Sequence, residues 1–352
     1  MELEKIRRKI DLLDRKIVQL LNSRAQLSLK IGRLKAKANK SAYSPGRESA
    51  VYEKVVAQNA GPLSGESLQA VYREIMSGCM ALEKPLKIAY MGPPASFSNL
   101  AAMKKFGSSV KYVPVDSIID VFAEVEHGRS DYGVVPIENS IEGAINYTLD
   151  MFMESDLKIC SEISLEISHN LLAKCPMGKI KRIYSNPNVI GQCRMWLEAN
   201  LPGVEIAEVT STTKAAELAV KEKYAASIGS SLAAKCYGLD ILAASIEDMQ
   251  HNMTRFLVIG KVESKPTGRD KTSVMFSVKD RVGALHDMLV PFRKQKINLT
   301  KIESRPSKKK AWEYCFFVDM EGHHDDRNVR KAIEELQDIC TTFKILGSYP
   351  VS

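Results

Sequence analysis

Apolar residues recur at threes and fours along the start of the chain: Leu3, Ile6, Ile10, Leu13, Ile17, Leu20, Leu21, Leu27 and Ile31, with no proline among them. Side chains at that spacing share one helical face, so the pattern predicts a single helix over 2–38. At 1.5 Å per residue it would run roughly 55 Å, more than a small domain can bury in itself. Its stripe needs a partner helix, most simply from a second subunit. Further helices are expected over 45–59 and 64–83, parted by Ala60-Gly61-Pro62, which makes residues 1–85 an all-α unit.

The periodicity changes at Pro85. Leu86–Gly92 reads as a short strand, and Ser96-Phe97-Ser98 starts a helix through Phe106. A strand at 110–115, a helix at 117–127 and a strand at 132–135 follow, the last leaving as the polar turn Val135–Gly143. A second set over 163–230 has strands near 180–184, 204–209 and 225–229 and helices at 188–200 and 212–222. The chain returns through 240–247 to a polar stretch that runs into Thr254-Arg255-Phe256 and an apolar strand. This alternation predicts two α/β lobes with mostly parallel sheets and a cleft between them, over 86–262. A polar linker at 260–271 leads to strand (273–278), helix (283–295), strand (297–304), strand (311–320), helix (326–338) and strand (342–348). That is the ferredoxin-like α+β order, assigned to 270–352.

Composition narrows the class. A hydrophobic fraction of 45% and a charged fraction of 26% are ordinary for a globular chain of 352 residues. No apolar run approaches the roughly 18 residues needed to cross a bilayer. The charged N-terminus lacks the apolar core of a signal peptide, so no membrane partner is expected. The seven cysteines are scattered without a Cys-x-x-Cys, which argues for reduced thiols in a cytoplasm. The six histidines show no metal spacing, and His323-His324 is read as a solvated turn. No metal or other cofactor is implied. The net charge of +8 is spread among acids, with one dense run, Lys308-Lys309-Lys310, read as a hairpin tip. Nucleic acid is therefore not expected, and the positive balance favours encounter with small dianions.

Thr254 and Arg255 stand at the mouth of a predicted strand, where open α/β sheets place ligand-contacting groups. Arg suits a carboxylate through its planar fork, and Thr can donate or accept at a substrate hydroxyl. By themselves these residue types are more often surface and sheet-forming choices.

Residues 3–84 closely resemble the helical chorismate mutases, in the register Ile6-Arg7-Arg8-Lys9-Ile10-Asp11, Leu21-Asn22-Ser23-Arg24, Ile31-Gly32-Arg33-Leu34-Lys35 and Ser44-Pro45-Gly46-Arg47-Glu48. The resemblance implies that Arg7 (reaching in from a partner subunit), Arg24 and Arg47 hold carboxylates. Lys35 and Glu83 would donate to the ether oxygen, and Glu48 would take the substrate hydroxyl. Glu83 stands where other members have Gln and donates only when protonated. Ser44 and Cys79 also depart from the pattern. Because the matched residues all lie in 1–84, this unit is expected to fold and act alone.

Five motifs in order resemble the prephenate dehydratases over about 86–260: Tyr90-Met91-Gly92-Pro93 with Ser96-Phe97-Ser98, Val135-Pro136-Ile137-Glu138-Asn139-Ser140, Ser185-Asn186-Pro187 with Gln192, Ser211-Thr212-Thr213, and Asn252-Met253-Thr254-Arg255-Phe256. The resemblance implies Thr254 as proton donor to the departing hydroxide. Asn139, Ser185, Gln192, Ser211 and Thr212 would line the substrate site, and Arg255 and Phe256 would contact substrate or set the loop. Pro94-Ala95-Ser96 departs from the commoner acidic-Gly-Thr. Finally, Gly283-Ala284-Leu285-His286 and Glu303-Ser304-Arg305-Pro306 resemble the paired motifs of amino-acid-binding ACT domains, with Val282 replacing the usual Pro.

These resemblances imply a homodimeric or larger three-part enzyme. A helical chorismate mutase would precede a bilobal dehydratase of periplasmic-binding-protein type and an ACT domain that senses L-phenylalanine. Chorismate and prephenate would be its substrates. Two alternatives stay open: a dehydratase acting on arogenate, and a non-catalytic aromatic-acid sensor with a helical dimerisation arm.

Overall fold

Helix α1 (Glu2–Lys37) runs unbroken, as its periodicity predicts, and none of its residues is buried. Leu3, Ile10, Leu13, Ile17 and Leu20 are all at least half exposed, so the apolar stripe goes uncovered within one chain. The computed structural model describes residues 1–38, 43–279, 281–306 and 314–351. Lys308-Lys309-Lys310, expected as a hairpin tip, lies outside them. Helices α2 (Pro45–Ala57) and α3 (Gly65–Glu83) complete the helical unit. Pro45 opens α2 at a position where its missing N–H costs nothing, and Ser64 caps α3 by accepting from Ser67 N.

The first α/β lobe contains β1 (Lys87–Met91), α4 (Phe97–Phe106), β2 (Lys111–Val115), α5 (Ile118–Glu126), β3 (Tyr132–Asn139), the short β4 (Gly143–Ala144), α6 (Asn146–Glu154) and β5 (Lys158–Glu166). The second contains β6 (Asn170–Ala173), β7 (Arg182–Ser185), α7 (Pro187–Gln192), α8 (Arg194–Asn200), β8 (Glu205–Glu208), α9 (Thr212–Lys221), β9 (Ala225–Gly229), α10 (Ser231–Tyr237) and β10 (Asp240–Ala243). Strand β11 (Met253–Gly260) then returns to the first lobe.

Both sheets are mixed, which corrects the expectation of mostly parallel sheets. The first has the order β2-β1-β3-β11-β5. Strands β1, β2 and β3 are parallel, but β11 enters from the other lobe and pairs antiparallel with β3 and β5. The second sheet has the order β10-β6-β9-β7-β8. The expected turn after Val135 is instead four more residues of strand, since β3 continues to Asn139. No helix among the described residues is long and apolar enough to cross a membrane.

The last unit is β12 (Asp270–Val278), α11 (Ala284–Lys294), β13 (Leu299–Pro306), β14 (Tyr314–Glu321), α12 (Arg327–Ile339) and β15 (Cys340–Pro350), in the sheet order β13-β14-β12-β15. One face of this sheet is covered by α11 and α12 through Phe276, Met288, Phe292 and Leu336. Its other face shares a core with the first lobe, where Met275, Phe317, Leu346 and Tyr349 pack with Phe152, Ile159 and Leu257. The two backbones meet at Gly347, where an added Cβ would lie 2.3 Å from the Ile159 carbonyl oxygen. Only glycine permits that approach.

Candidate active sites

A cavity of about 240 Å³ lies among α1, α2 and α3, lined by Arg24, Lys35, Arg47, Glu48, Cys79 and Glu83. Five of the six helical residues singled out from the sequence thus share one chamber. Lys35 Nζ sits 3.4 Å from Glu83 Oε2, so both expected donors converge on one point. Arg24 Nη1 donates to Cys79 Sγ at 2.9 Å. Ser44 also lines the chamber; it precedes α2, and its hydroxyl accepts no cap hydrogen bond among the described residues. Arg7 is separate: it lies seventeen residues before Arg24 on the same helix, about 25 Å at 1.5 Å per residue.

The helical unit also packs against the lobe that follows it. Tyr43 is 3% exposed and packs into the dehydratase-type lobe, its ring 5.0 Å from that of Phe106 and 5.2 Å from that of Tyr132. Its hydroxyl donates to Glu48 Oε2 at 3.0 Å. Burial first, and then the Glu48 carboxylate, push the Tyr43 hydroxyl's pKa well above its ordinary value, so it remains a donor.

The second site lies where the two lobes join. The β3–β11 register sets Thr254 opposite Asn139. Asn139 Oδ1 accepts from the backbone N–H groups of Ile141 and Glu142, each at 2.9 Å. The amide orientation is thereby determined, and Nδ2 donates to Thr254 Oγ1 at 2.8 Å and Asn252 Oδ1 at 2.7 Å. Asn252 Nδ2 in turn donates to Gln192 Oε1 at 3.3 Å, which also lies 2.8 Å from His169 Nε2. Gln192 Oε1 can only accept, so His169 carries its proton on Nε2. Among the described residues its Nδ1 is buried without a partner. Burial lowers the His169 pKa, partly offset by the Gln192 hydrogen bond, and the ring stands edge-on to Phe97 at 5.5 Å. Thr254 therefore accepts from Asn139 and keeps its own proton for donation elsewhere. His169 was missed by sequence reading, and Asn252 was given no role; a lone His in Ser168-His169-Asn170 carries no spacing signal.

Other expected residues fall at the starts of helices. Ser211 caps α9 by accepting from Lys214 N, and Thr212 is the first residue of that helix. Ser96 caps α4, so the hydroxyl kept in the departed motif serves the helix N-terminus. Ser185 is fully buried at the end of β7 and donates to the Ile228 carbonyl at 3.2 Å. A cavity of about 630 Å³ adjoins the network, but Glu142, Glu247 and Asp248 line it, a poor setting for a dianion. The positive ends of helices such as α4 and α9 suit carboxylates better.

Arg255 and Phe256, expected to contact substrate or set the loop, both have structural partners. Phe256 is 2% exposed within the lobe core. Strand alternation turns Arg255 away from Thr254, and its guanidinium donates to Glu162 at 2.8 Å, Asp319 at 2.6 Å and the Tyr349 hydroxyl at 2.8 Å. The last two partners belong to the C-terminal sheet.

In the C-terminal unit Gly283 precedes α11 with φ of +82°, while Leu285 and His286 beside it are exposed. Glu303, Ser304, Arg305 and Pro306 form the end of edge strand β13, and Arg305 donates to Asp150 of α6 at 2.9 Å. Among the described residues no hydrogen bond joins the two stretches within one chain. His323 is buried, not solvated: Nε2 meets the Ser264 carbonyl at 3.1 Å, and Nδ1 accepts from Asp325 N at 3.1 Å. Both nitrogens of His323 are thus engaged.

The fold and the two sites define a two-activity enzyme with an appended regulatory domain. Family models match in the same order: Chorismate mutase type II over residues 6–84, Prephenate dehydratase over 88–264 and ACT domain over 272–338. The chain belongs to the bifunctional chorismate mutase/prephenate dehydratase family. It is 51% identical over 354 residues to the bifunctional chorismate mutase/prephenate dehydratase of Aquifex aeolicus (strain VF5), covering 99% of this chain and 98% of that protein. Among solved structures, a prephenate dehydratase in complex with L-Phe from Arthrobacter aurescens is similar at a TM-score of 0.70 and 32% identity, covering 76% of this chain and 90% of that one. A quorum-quenching acylase, GqqA, is similar at a TM-score of 0.70 and 27% identity, covering 76% and 98%. The fold alone thus leaves the chemistry to the site residues.

Proposed function

We propose that the chain converts chorismate to prephenate in the helical cavity and prephenate to phenylpyruvate at the lobe junction, under feedback inhibition by L-phenylalanine. The observation that carries this reading is the oriented pair Asn139–Thr254, because it leaves the threonine proton free to be given away. The rearrangement needs no nucleophile. Arg24 and Arg47, with Arg7 from a partner subunit, would hold the two carboxylates in the reactive conformer, while Lys35, beside Glu83, meets charge growing on the ether oxygen. In the second step Thr254 would protonate the departing hydroxide as carbon dioxide leaves and the ring aromatises. Asn139 makes that hydroxyl a better acid by donating to it.

The exposed stripe of α1 supports a homodimer, and the seven free cysteines fit a reducing cytoplasm. The test follows chorismate loss and phenylpyruvate formation separately. Arg24→Ala should remove the first step alone, by roughly 2–5 kcal/mol. Thr254→Val should remove the second alone, by about 10²–10⁴-fold. Near-normal phenylpyruvate formation from prephenate by Thr254→Val would overturn the assignment.

A further inference from the structure

Glu48 belongs to the helical unit by sequence, yet its carboxylate is held from the dehydratase domain. Lys105, next to the last residue of α4, places Nζ 2.7 Å from Glu48 Oε2. The adjacent Phe106 clamps the Tyr43 ring, whose hydroxyl donates to the same oxygen. The Glu48 side chain is 7% exposed and that of Lys105 is 20% exposed. Glu48 stands in the wall between two cavities: the mutase chamber on one side, and on the other a groove of about 980 Å³ lined by Lys105, Tyr52, Arg73 and Ser164. Lys105 therefore reaches the carboxylate from behind, without entering the chamber.

The charges in the chamber show why this matters. Its cations are Arg24, Lys35 and Arg47, and its acids are Glu48 and Glu83. Lys35 already stands beside Glu83. A buried carboxylate left without a counter-charge draws on the nearest cation. The cations that share the chamber with Glu48 include Arg24 and Arg47, which a dianionic substrate needs. We infer that Lys105 is a positioning residue for the mutase reaction: supplied by the dehydratase domain, it neutralises Glu48 from outside the chamber, keeps its carboxylate turned to the substrate hydroxyl and leaves the arginines to the substrate carboxylates. This rests on the assignment of Glu48 to that hydroxyl.

The test uses the full chain with Lys105→Met, Lys105→Arg and Glu48→Gln, assaying chorismate loss and, with supplied prephenate, phenylpyruvate formation. Lys105→Met should lower mutase kcat/KM at least about tenfold. The loss should fall more on KM than on kcat, because arginines drawn to Glu48 are lost to substrate. Dehydratase kinetics should not change, and Lys105→Arg should recover most of the mutase activity. Normal mutase kinetics in Lys105→Met beside a defective Glu48→Gln would overturn the inference. So would loss of both activities together in Lys105→Met, which would make Lys105 a structural strut. A normal Glu48→Gln enzyme would instead overturn the assignment of Glu48 itself.

Discussion

Arg255 donates to Asp319 at 2.6 Å across the boundary between the dehydratase lobe and the ACT sheet. Its neighbour Thr254 faces the other way and accepts from Asn139. One step along β11 thus separates the candidate proton donor from a contact to the regulatory domain. Glu162, 3% exposed, joins the same group by accepting from both Arg255 and Lys271 of β12. A displacement of the ACT sheet would be felt on the strand that carries Thr254, the kind of contiguous contact through which two sites can bias one another.

Asp319→Ala leaves a mostly buried guanidinium short of one partner. The expected cost is about 3 kcal/mol, read from denaturant unfolding. Phenylalanine should then inhibit dehydratase less steeply, with mutase kinetics unchanged. Undiminished inhibition in the variant would exclude Arg255–Asp319 as a coupling contact.

His169 links stability to pH. Burial holds its folded pKa below the ordinary 6.5 that applies to the unfolded chain. Below that value the unfolded state takes up the proton first, so stability rises with pH. The His169 contribution is complete above about pH 6.5 and is lost as pH falls toward the folded pKa. The melting temperature should drop on acidification through that window, and His169→Gln should start lower and fall less. Equal slopes for both proteins would show that another group titrates.

Gly283 holds φ at +82° where α11 begins, a conformation that costs a β-branched residue about 1–2 kcal/mol or more. An added Cβ would meet no neighbouring atom, so the penalty is local to the backbone. Gly283→Val should therefore abolish phenylalanine binding by calorimetry and relieve inhibition while both activities persist. Wild-type-like binding by this variant would place the effector elsewhere.

Arg7 lies too far along α1 to reach the chamber of its own chain. If it completes the chamber of a second subunit, Arg7→Ala and Arg24→Ala are each inactive as mutases but complement one another. After mixed refolding one site in each heterodimer is intact, giving about a quarter of wild-type activity for a symmetric dimer. Absence of recovery in demonstrated heterodimers would remove Arg7 from the site.

The order of elements and the identity of the polar motifs were legible in the chain, because helix and strand periods and turn residues are local properties. The 36-residue helix, the three successive units and the residues around Thr254 all belong to that class. What joins distant segments was not legible. Strand β5 carries Ser161, Glu162 and Ser164, and its alternation does not read as a core strand; Glu162 is buried because Arg255 and Lys271 come to meet it. Alternation along β11 could have turned Arg255 away from Thr254, but only the packed ACT sheet supplies Asp319 and Tyr349 on that side. The chamber residues were named from their register in the helices, whereas Lys105 behind Glu48 has no motif to announce it. Local pattern determines which faces are apolar and which groups are available. The tertiary structure decided which charges share a low-dielectric wall, since that depends on contacts between residues far apart in sequence.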